Sequence, residues 1–175
     1  MEFIMVVFGI DPGASGAIAS YDGKTLDFVK CPSGGKDMAD SVRSIIHGFE
    51  IKGIVRSDIL VGFERVHAMP HDARNSAFKF GRNVGMWWGV LGSLGLDFIE
   101  IAPRTWQAHF LHKRIKVKKD RKNKLKEIAQ NMFPDKKVTL INCDAILIAV
   151  YYYQTSQKER EENDRKTDTT ISDRK

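Results

Sequence analysis

Three acidic residues stand at positions where their carboxyl groups could carry out chemistry together. Asp11 follows the run MVVFGI at residues 5–10, which is apolar apart from one glycine, and Glu64 ends the apolar run ILVGFE. Asp144 lies at the start of the apolar segment CDAILIAVYYY. A buried carboxylate is costly unless it is paired or binds a cation, so each of these acids requires a compensating partner.

A shared metal centre is one explanation for the three acids. Clustered carboxylate oxygens favour Mg²⁺ or Mn²⁺ over zinc. Two such ions about 4 Å apart activate water and stabilise the leaving oxygen in phosphodiester hydrolysis. We therefore expect Mg²⁺ or Mn²⁺, two per active site. The ordinary alternatives are a turn-capping role for Asp11, an ion pair of Glu64 with Arg65 or Lys79, and a helix N-terminal position for Asp144.

The elements that must position these acids follow from hydrophobic periodicity. Glycine turns separate the first short strands, and apolar residues recur at helical spacing from Met38 to Phe49. If the first and fourth strands are neighbours, their acids converge with the third acid, which a covering helix supplies. We expect strands at residues 3–10, 16–21, 25–30, 59–64 and 96–101, a turn or short helix from residue 103, and helices at 36–49, 74–94, 121–133 and from 143.

The predicted helix at residues 74–94 has two further features. Its glycines fall at three- to four-residue steps and form one ridge that another element could approach closely: Gly81, Gly85, Gly89 and Gly92. Trp87 and Trp88 are expected in the core or at a dimer interface, with base stacking as the alternative.

Positive charge is concentrated in one segment. The chain has a formal net charge of +6, and the segment KRIKVKKDRKNKLK at residues 113–126 carries nine Lys or Arg against one acid, Asp120. Such a run is either a solvated face or a surface for a polyanion, and mutual repulsion among so many cations favours the polyanion. We expect it to bind DNA.

Composition limits the class of protein. No apolar run reaches the length of a membrane span, and the N-terminus lacks the basic region of a signal peptide, so we expect an intracellular, cytoplasmic protein. Cys31 and Cys143 have no neighbours at metal-ligand spacing. His71, His109 and His112 show no paired spacing either. We expect one domain over residues 1–153 and a polar, charged and flexible tail over 154–175.

The segments GIDPGASGAI, FERVHAMPHDARNSAFKFGRNVGMWWGVL, APRTWQAHF and CDAILIAVYY, in this order, resemble the RuvC-type Holliday junction resolvases of the RNase H-like superfamily, especially the short forms of phages and some bacteria. The resemblance covers the chain to about residue 153. It implies an α/β fold with a mixed five-stranded sheet flanked by helices, a homodimer, and paired incisions in four-way DNA junctions. It assigns the metal ligands to Asp11, Glu64 and Asp144.

Two departures from the family pattern concern the site. The family usually has a further acid or a histidine shortly before the last acid, where residues 140–143 are LINC here. Asn142 or Asp135 is our suggestion for the missing ligand. His67 occupies the place of a family aromatic that enters the junction centre, and it, Phe78 or Phe80 is expected to stack on a base.

The resemblance also places a phosphate-contacting lysine near Lys118 and Lys119, and we assign Lys119 a catalytic role. The predicted DNA-binding residues are His67, Phe78, Lys79, Arg82, Arg104, Lys113, Arg114, Lys116, Lys118, Lys119, Arg121 and Lys122. Met69 and Pro70 are expected to pack in a loop.

The leading hypothesis is a metal-dependent, structure-selective DNA endonuclease that cuts four-way junctions and other branched DNA. A non-cleaving branched-DNA-binding protein and an RNase H acting on RNA/DNA hybrids are the alternatives. An actin-like kinase also begins with a strand, an acid and a glycine turn, but it needs two such domains, which exceeds 175 residues.

Overall fold

A computed structural model describes the backbone of residues 4–67 and 73–172, and the side chains of these ranges up to residue 166. The strands are β1 (Val6–Asp11), β2 (Ala17–Tyr21), β3 (Leu26–Lys30), β4 (Ile59–Glu64) and β5 (Phe98–Ile101). The helices are α1 (Gly35–Glu50), α2 (Arg74–Ser93), α3 (Pro103–Phe110), α4 (Lys118–Met132) and α5 (Cys143–Ser172). A 3₁₀ turn, Arg56–Asp58, precedes β4.

The five strands form one mixed sheet in the order β3-β2-β1-β4-β5. The pairs β1–β2 and β2–β3 are antiparallel, whereas β1–β4 and β4–β5 are parallel. The first and fourth strands are therefore neighbours that run in the same direction, which meets the condition under which the acids of both strands converge. Their carboxyl ends lie at the same edge of the sheet.

The alternation of side chains along β1 and β4 separates two cores. Phe8 and Phe63 face a core that α1 and α2 complete. Val7 and Leu60 face the opposite core, which contains α5 together with parts of α3 and α4. Since successive strand residues point to opposite faces, Asp11 and the last residue of β4 point to the α5 face of the sheet.

Paired glycines bring α5 close to this face. Gly9 of β1 lies opposite Gly62 of β4. A Cβ at position 9 would overlap the Ala145 carbonyl oxygen and lie 2.5 Å from the Ala149 backbone nitrogen, and a Cβ at position 62 would lie 3.3 Å from Ile148 Cγ2. The absence of side chains at these two positions allows α5 to pack directly on the strand backbone.

The structure extends two helices beyond their predicted bounds. Helix α4 begins at Lys118, because Lys and Arg are good helix formers and Asp120 lies favourably in the first turn. Helix α5 continues through Ser172. In this extension an ion pair of 3.5 Å joins Arg165 to Glu161, four residues earlier on the helix. Helical backbone thus runs past residue 153, and the division of the chain there stays a prediction. None of the helices is long and apolar enough to cross a membrane, over the residues that are described.

Candidate metal-binding carboxylate site

The structure places the three predicted acids around the end of the β1–β4 pair. Asp11 is the last residue of β1, Glu64 is the last residue of β4, and Asp144 is the second residue of α5. Glu64 and Asp144 are only 8% and 4% exposed, and Asp11 is partly exposed. Two strand ends and one helix start therefore bring the three carboxyl groups together on one face of the sheet.

A glycine turn fixes the direction of the chain after Asp11. Gly13 has a φ of +110°, which disfavours residues with a side chain, and the Gly16 amide donates a 3.0 Å hydrogen bond to the Gly13 carbonyl. A Cβ at Gly16 would overlap the Asp11 carbonyl oxygen. The segment PGASG thus turns the chain tightly enough for β2 to pair with β1 in the antiparallel direction, beginning with Ala17 opposite Asp11.

The negative charges of the three acids act on one another. Burial, then repulsion by Glu64 and Asp144, raises the pKa of Asp11 to about 8. Burial and then Asp144 also raise the pKa of Glu64, against the opposing effects of hydrogen bonds from Trp106 and Asp11. Hydrogen bonding between Asp11 and Glu64 acts in the same direction on Asp11, whose pKa it raises, and lowers the pKa of Glu64. The cluster therefore holds more negative charge than its surroundings compensate.

Trp106 holds Glu64 in place from α3. Its Nε1 donates a 3.1 Å hydrogen bond to Glu64 Oε1, and its ring is fully buried. Pro103 begins α3, the helix that carries the indole to Glu64 at the end of β4. The sequence placed Trp106 in a turn or short helix from residue 103 but did not connect it with Glu64, since no local pattern links residues 42 positions apart.

Lys122 supplies the positive charge nearest the acids. Its Nζ lies 2.5 Å from Asp144 Oδ2. Burial opposes the charged form, but Asp144 raises the pKa of Lys122 overall. The sequence predicted this lysine as a DNA contact and gave the catalytic role to Lys119, which is exposed one turn earlier on α4. The catalytic role of Lys119 stays a prediction, and Lys122 is the lysine that the structure brings to the cluster.

Both cysteines contact the site as neutral thiols. Cys143 Sγ donates to Asp144 Oδ1 at 3.3 Å, and Cys31 Sγ donates to the Asp11 carbonyl oxygen at 3.2 Å. Burial, followed by the nearby carboxylates, raises the pKa of each thiol to about 12. These thiols support the acids as weak hydrogen-bond donors, a contribution that the sequence analysis missed.

Neither suggested fourth ligand is directed to the acids by a described contact. The Asn142 amide is used by the loop before α5, because its Oδ1 accepts from the Thr139 amide at 2.7 Å and its Nδ2 donates to the Lys137 carbonyl at 3.1 Å. Asp135 is exposed. A ligand role for either residue stays a prediction.

The chemistry of the three acids fits a hard divalent cation. They offer carboxylate oxygens only, and their mutual repulsion would be relieved by a cation. Within residues 4–67 and 73–172, however, no group of three or more His, Cys, Asp or Glu side chains stands at the spacing of a preformed metal site. Asp144 is instead directed to Lys122. The acids are close enough for their charges to raise the pKa of Asp11, but they are not arranged as a finished metal site. Metal binding would require Asp144 to share or exchange its contact with Lys122.

The predicted DNA-binding side chains lie mostly at the protein surface. Phe78 is 69% exposed at the start of α2, Phe80 is partly buried against the core, and Trp87 is fully buried while Trp88 is 45% exposed. The other exposed members of the predicted set are His67, Lys79, Arg82, Arg104, Lys113, Arg114, Lys116, Lys118 and Lys119, whereas Arg121 and Lys122 are partly buried. Met69, Pro70 and His71 lie outside the described residues.

Comparisons with solved structures identify the fold. The chain is similar to the RuvC structure of Thermus thermophilus, with a TM-score of 0.54 and 17% identity over 87% of this chain and 97% of that chain. It is also similar to Thermus thermophilus RuvC in complex with a Holliday junction substrate, with a TM-score of 0.52 and 16% identity over 86% of this chain and 96% of that chain. No protein-family model and no curated protein matches the sequence.

These similarities and the sheet order define an α/β protein with an RNase H-like fold. The predicted mixed five-stranded sheet flanked by helices is confirmed. More particularly, the chain has a RuvC-like fold that spans most of its length.

Proposed function

We propose that this chain is a divalent-metal-dependent endonuclease that resolves four-way DNA junctions by paired phosphodiester cuts. The observation that carries the proposal is the placement of Asp11, Glu64 and Asp144 at the ends of β1 and β4 and the start of α5. Three largely buried acids without an equal number of cations are an unfavourable arrangement, which a bound metal ion would stabilise.

The residues of the site have separate roles in this proposal. Asp11, Glu64 and Asp144 would hold Mg²⁺ or Mn²⁺, and a bound ion supplies a Lewis acid and an activated water. Trp106 orients Glu64 through its indole N–H. Lys122, one-third exposed, is placed where its ammonium group contacts either Asp144 or the oxygen of an approaching phosphate.

Branched DNA as the substrate is supported by the surface charge. The cations of residues 113–126 surround the start of α4, which carries Lys122 to the acids. One of the similar structures is described as RuvC in complex with a Holliday junction substrate. Phosphate contacts of this kind recognise the backbone and shape of DNA, not its base sequence.

A homodimer is part of the proposal because paired cuts need two sites. The glycine ridge of α2 offers a surface for it, since a Cβ at Gly81, Gly85, Gly89 or Gly92 would have no described atom within 4 Å. The exposed Trp88 lies beside the ridge. We expect sedimentation with bound junction to show two chains per junction, and a single chain per junction would contradict this part.

The substrate is tested with labelled four-way junction, linear duplex and RNA/DNA hybrid of the same sequence. We expect Mg²⁺-dependent cuts at symmetric positions in the junction and little cutting of the controls. Preferential cutting of the hybrid would favour an RNase H.

A second candidate is a protein that binds branched DNA without cutting it. The contact between Lys122 and Asp144 favours it, because an ammonium group already neutralises one acid. Tight junction binding with no cutting in either Mg²⁺ or Mn²⁺ would identify this alternative.

A further inference from the structure

A concave cavity of about 430 Å³ lies between α3 and the start of α4, on the side of α3 away from the acids. Its lining includes four cations, Arg104, Lys113, Arg114 and Arg121, together with the Gln107 amide. Among the described residues, no acid lines it. The cavity therefore offers hydrogen-bond donors and positive charge to a ligand of the opposite sign.

The geometry of α3 separates this cavity from the carboxylate site. Arg104, Gln107 and Ala108 lie three and four residues apart within α3, so they share one helix face, and all three line the cavity. Trp106 points from the other side of α3 to Glu64. The same helix thus contacts the cavity on one face and the acids on the other.

Helix α4 also contacts both the cavity and the carboxylate site. Arg121 lines the cavity, and the next residue, Lys122, contacts Asp144. Arg121 Nη1 donates a 3.2 Å hydrogen bond to the Ile115 carbonyl oxygen, which fixes its guanidinium group at the cavity wall. A ligand in the cavity would therefore be held a short distance along α4 from the acids.

The positive charges of the cavity are not neutralised by any carboxylate of the described residues. Among the residues whose side chains are described, no carboxylate forms an ion pair with Arg104, Lys113, Arg114 or Arg121. Other surface cations of the chain do form such pairs, for example Arg43 with Asp40 and Lys136 with Asp27. Four uncompensated cations around one concavity repel one another unless an anion lies between them.

We propose that this cavity binds a backbone phosphate of the DNA at a point separate from the phosphodiester that is cut. The proposal rests on the proposed function, in that it takes DNA as the source of the phosphate. DNA is favoured over a free anion because Lys113 and Arg114 belong both to the cavity and to the basic segment of residues 113–126, along which a strand would continue. Planar guanidinium groups suit phosphate oxygens because they donate two parallel hydrogen bonds.

The test is the salt dependence of junction binding without divalent metal. Fluorescence anisotropy with a labelled four-way junction in EDTA gives log K against log[salt] for wild type and for the double variant Arg104→Gln/Arg114→Gln. One lost phosphate contact reduces the slope by about 0.9 and weakens binding on the order of tenfold at 0.1 M salt. Lys24→Gln is the matched control, because Lys24 is exposed in the β2–β3 turn at the opposite end of the sheet from Asp11.

We expect the double variant to lose about one unit of slope while Lys24→Gln retains the wild-type value. Equal slopes for all three proteins would overturn the proposal, provided that circular dichroism shows the variants folded. Inorganic phosphate is the second probe: if it raises the melting temperature of wild type but not of the double variant, while the DNA slopes are equal, the cavity takes a free anion and the DNA proposal is wrong.

The binding assay separates this inference from the nuclease proposal. If the slopes differ but the protein never cuts junctions, the phosphate cavity is supported and the nuclease proposal is wrong. If the protein cuts junctions but the binding slopes of wild type and double variant are equal, the nuclease proposal is supported and the phosphate cavity is wrong.

Discussion

Lys122 Nζ contacts Asp144 Oδ2 at 2.5 Å, beside two further acids that would bind the same metal ion. The ammonium group and a divalent cation therefore compete for one carboxylate oxygen. The candidate site therefore consists of three carboxylates and one lysine, and not of carboxylates alone.

Replacement of Lys122 by Met should strengthen metal binding while it weakens junction cutting. The substitution keeps much of the side-chain volume and removes the competing charge, so we expect Mn²⁺ to bind on the order of tenfold more tightly. Isothermal titration calorimetry measures the affinity. Lys124→Met is the control, since Lys124 pairs with Glu127 on the exposed side of the same helix. Weaker Mn²⁺ binding in Lys122→Met than in wild type would show that this lysine supports the metal instead of competing with it.

Trp106→Phe should destabilise the site by removing one hydrogen bond. The variant keeps an aromatic ring in the core but leaves Glu64 Oε1 without its indole donor. We expect a loss of about 1–3 kcal/mol in the free energy of unfolding and slower junction cutting. Urea denaturation and a cutting assay measure the two effects. Trp88→Phe, at a 45% exposed position, serves as the control and should change stability little. Equal stability of the two variants would contradict the role assigned to Trp106.

The metal-free protein should become less stable as the pH rises from about 4 to 8. The pKa of Asp11 is raised from 3.8 to about 8, so in this range the folded state holds a proton that the unfolded state has released. Stability falls with pH wherever the folded state binds more protons, at up to about 1.4 kcal/mol per pH unit for one group. Above pH 8 the contribution is constant.

Urea denaturation in EDTA at several pH values measures this dependence. Asp11→Asn should flatten the decline, because it removes the group that titrates, and saturating Mg²⁺ should flatten it in wild type. A wild-type decline that persists unchanged in Asp11→Asn would assign the effect to other groups.

Gly9→Ala should displace α5 from the sheet. The new methyl group would overlap the Ala145 carbonyl oxygen, next to Asp144, and backbone atoms cannot move aside as a flexible side chain can. We expect a loss of about 1–3 kcal/mol in unfolding free energy. Gly48→Ala in α1 is the matched control, because no described atom lies within 4 Å of its Cβ, and alanine there should stabilise the helix by about 0.5–1 kcal/mol. Equal effects of the two substitutions on urea denaturation would be inconsistent with the close packing of α5.

The sequence was sufficient to place the three acids, because each ends a strand or begins a helix whose periodicity is clear. The order of the elements was also predicted and is observed, and the neighbouring positions of β1 and β4, which the convergence of the acids required, are found in the sheet. Local patterns determine such features, since an apolar run and a turn signal lie within a few residues of each other.

The contacts around the acids could not be predicted in the same way. Trp106 meets Glu64 across 42 residues, and Lys122 meets Asp144 across 22. In a segment with nine similar cations, only the rotation of α4 on the core decides which lysine points inward. Leu125 and Ala129, both fully buried, fix that rotation, and Lys122 lies three residues before Leu125.

The central claim, that the three acids form a metal-dependent nuclease site, is tested most directly with Asp144→Asn. Cutting of a labelled four-way junction is measured with and without Mg²⁺ for wild type and the variant, and junction binding of both is measured in EDTA. We predict symmetric, Mg²⁺-dependent cuts by wild type, and a variant that binds the junction but cuts no faster than the metal-free reaction. Cutting by Asp144→Asn at the wild-type rate would contradict the account.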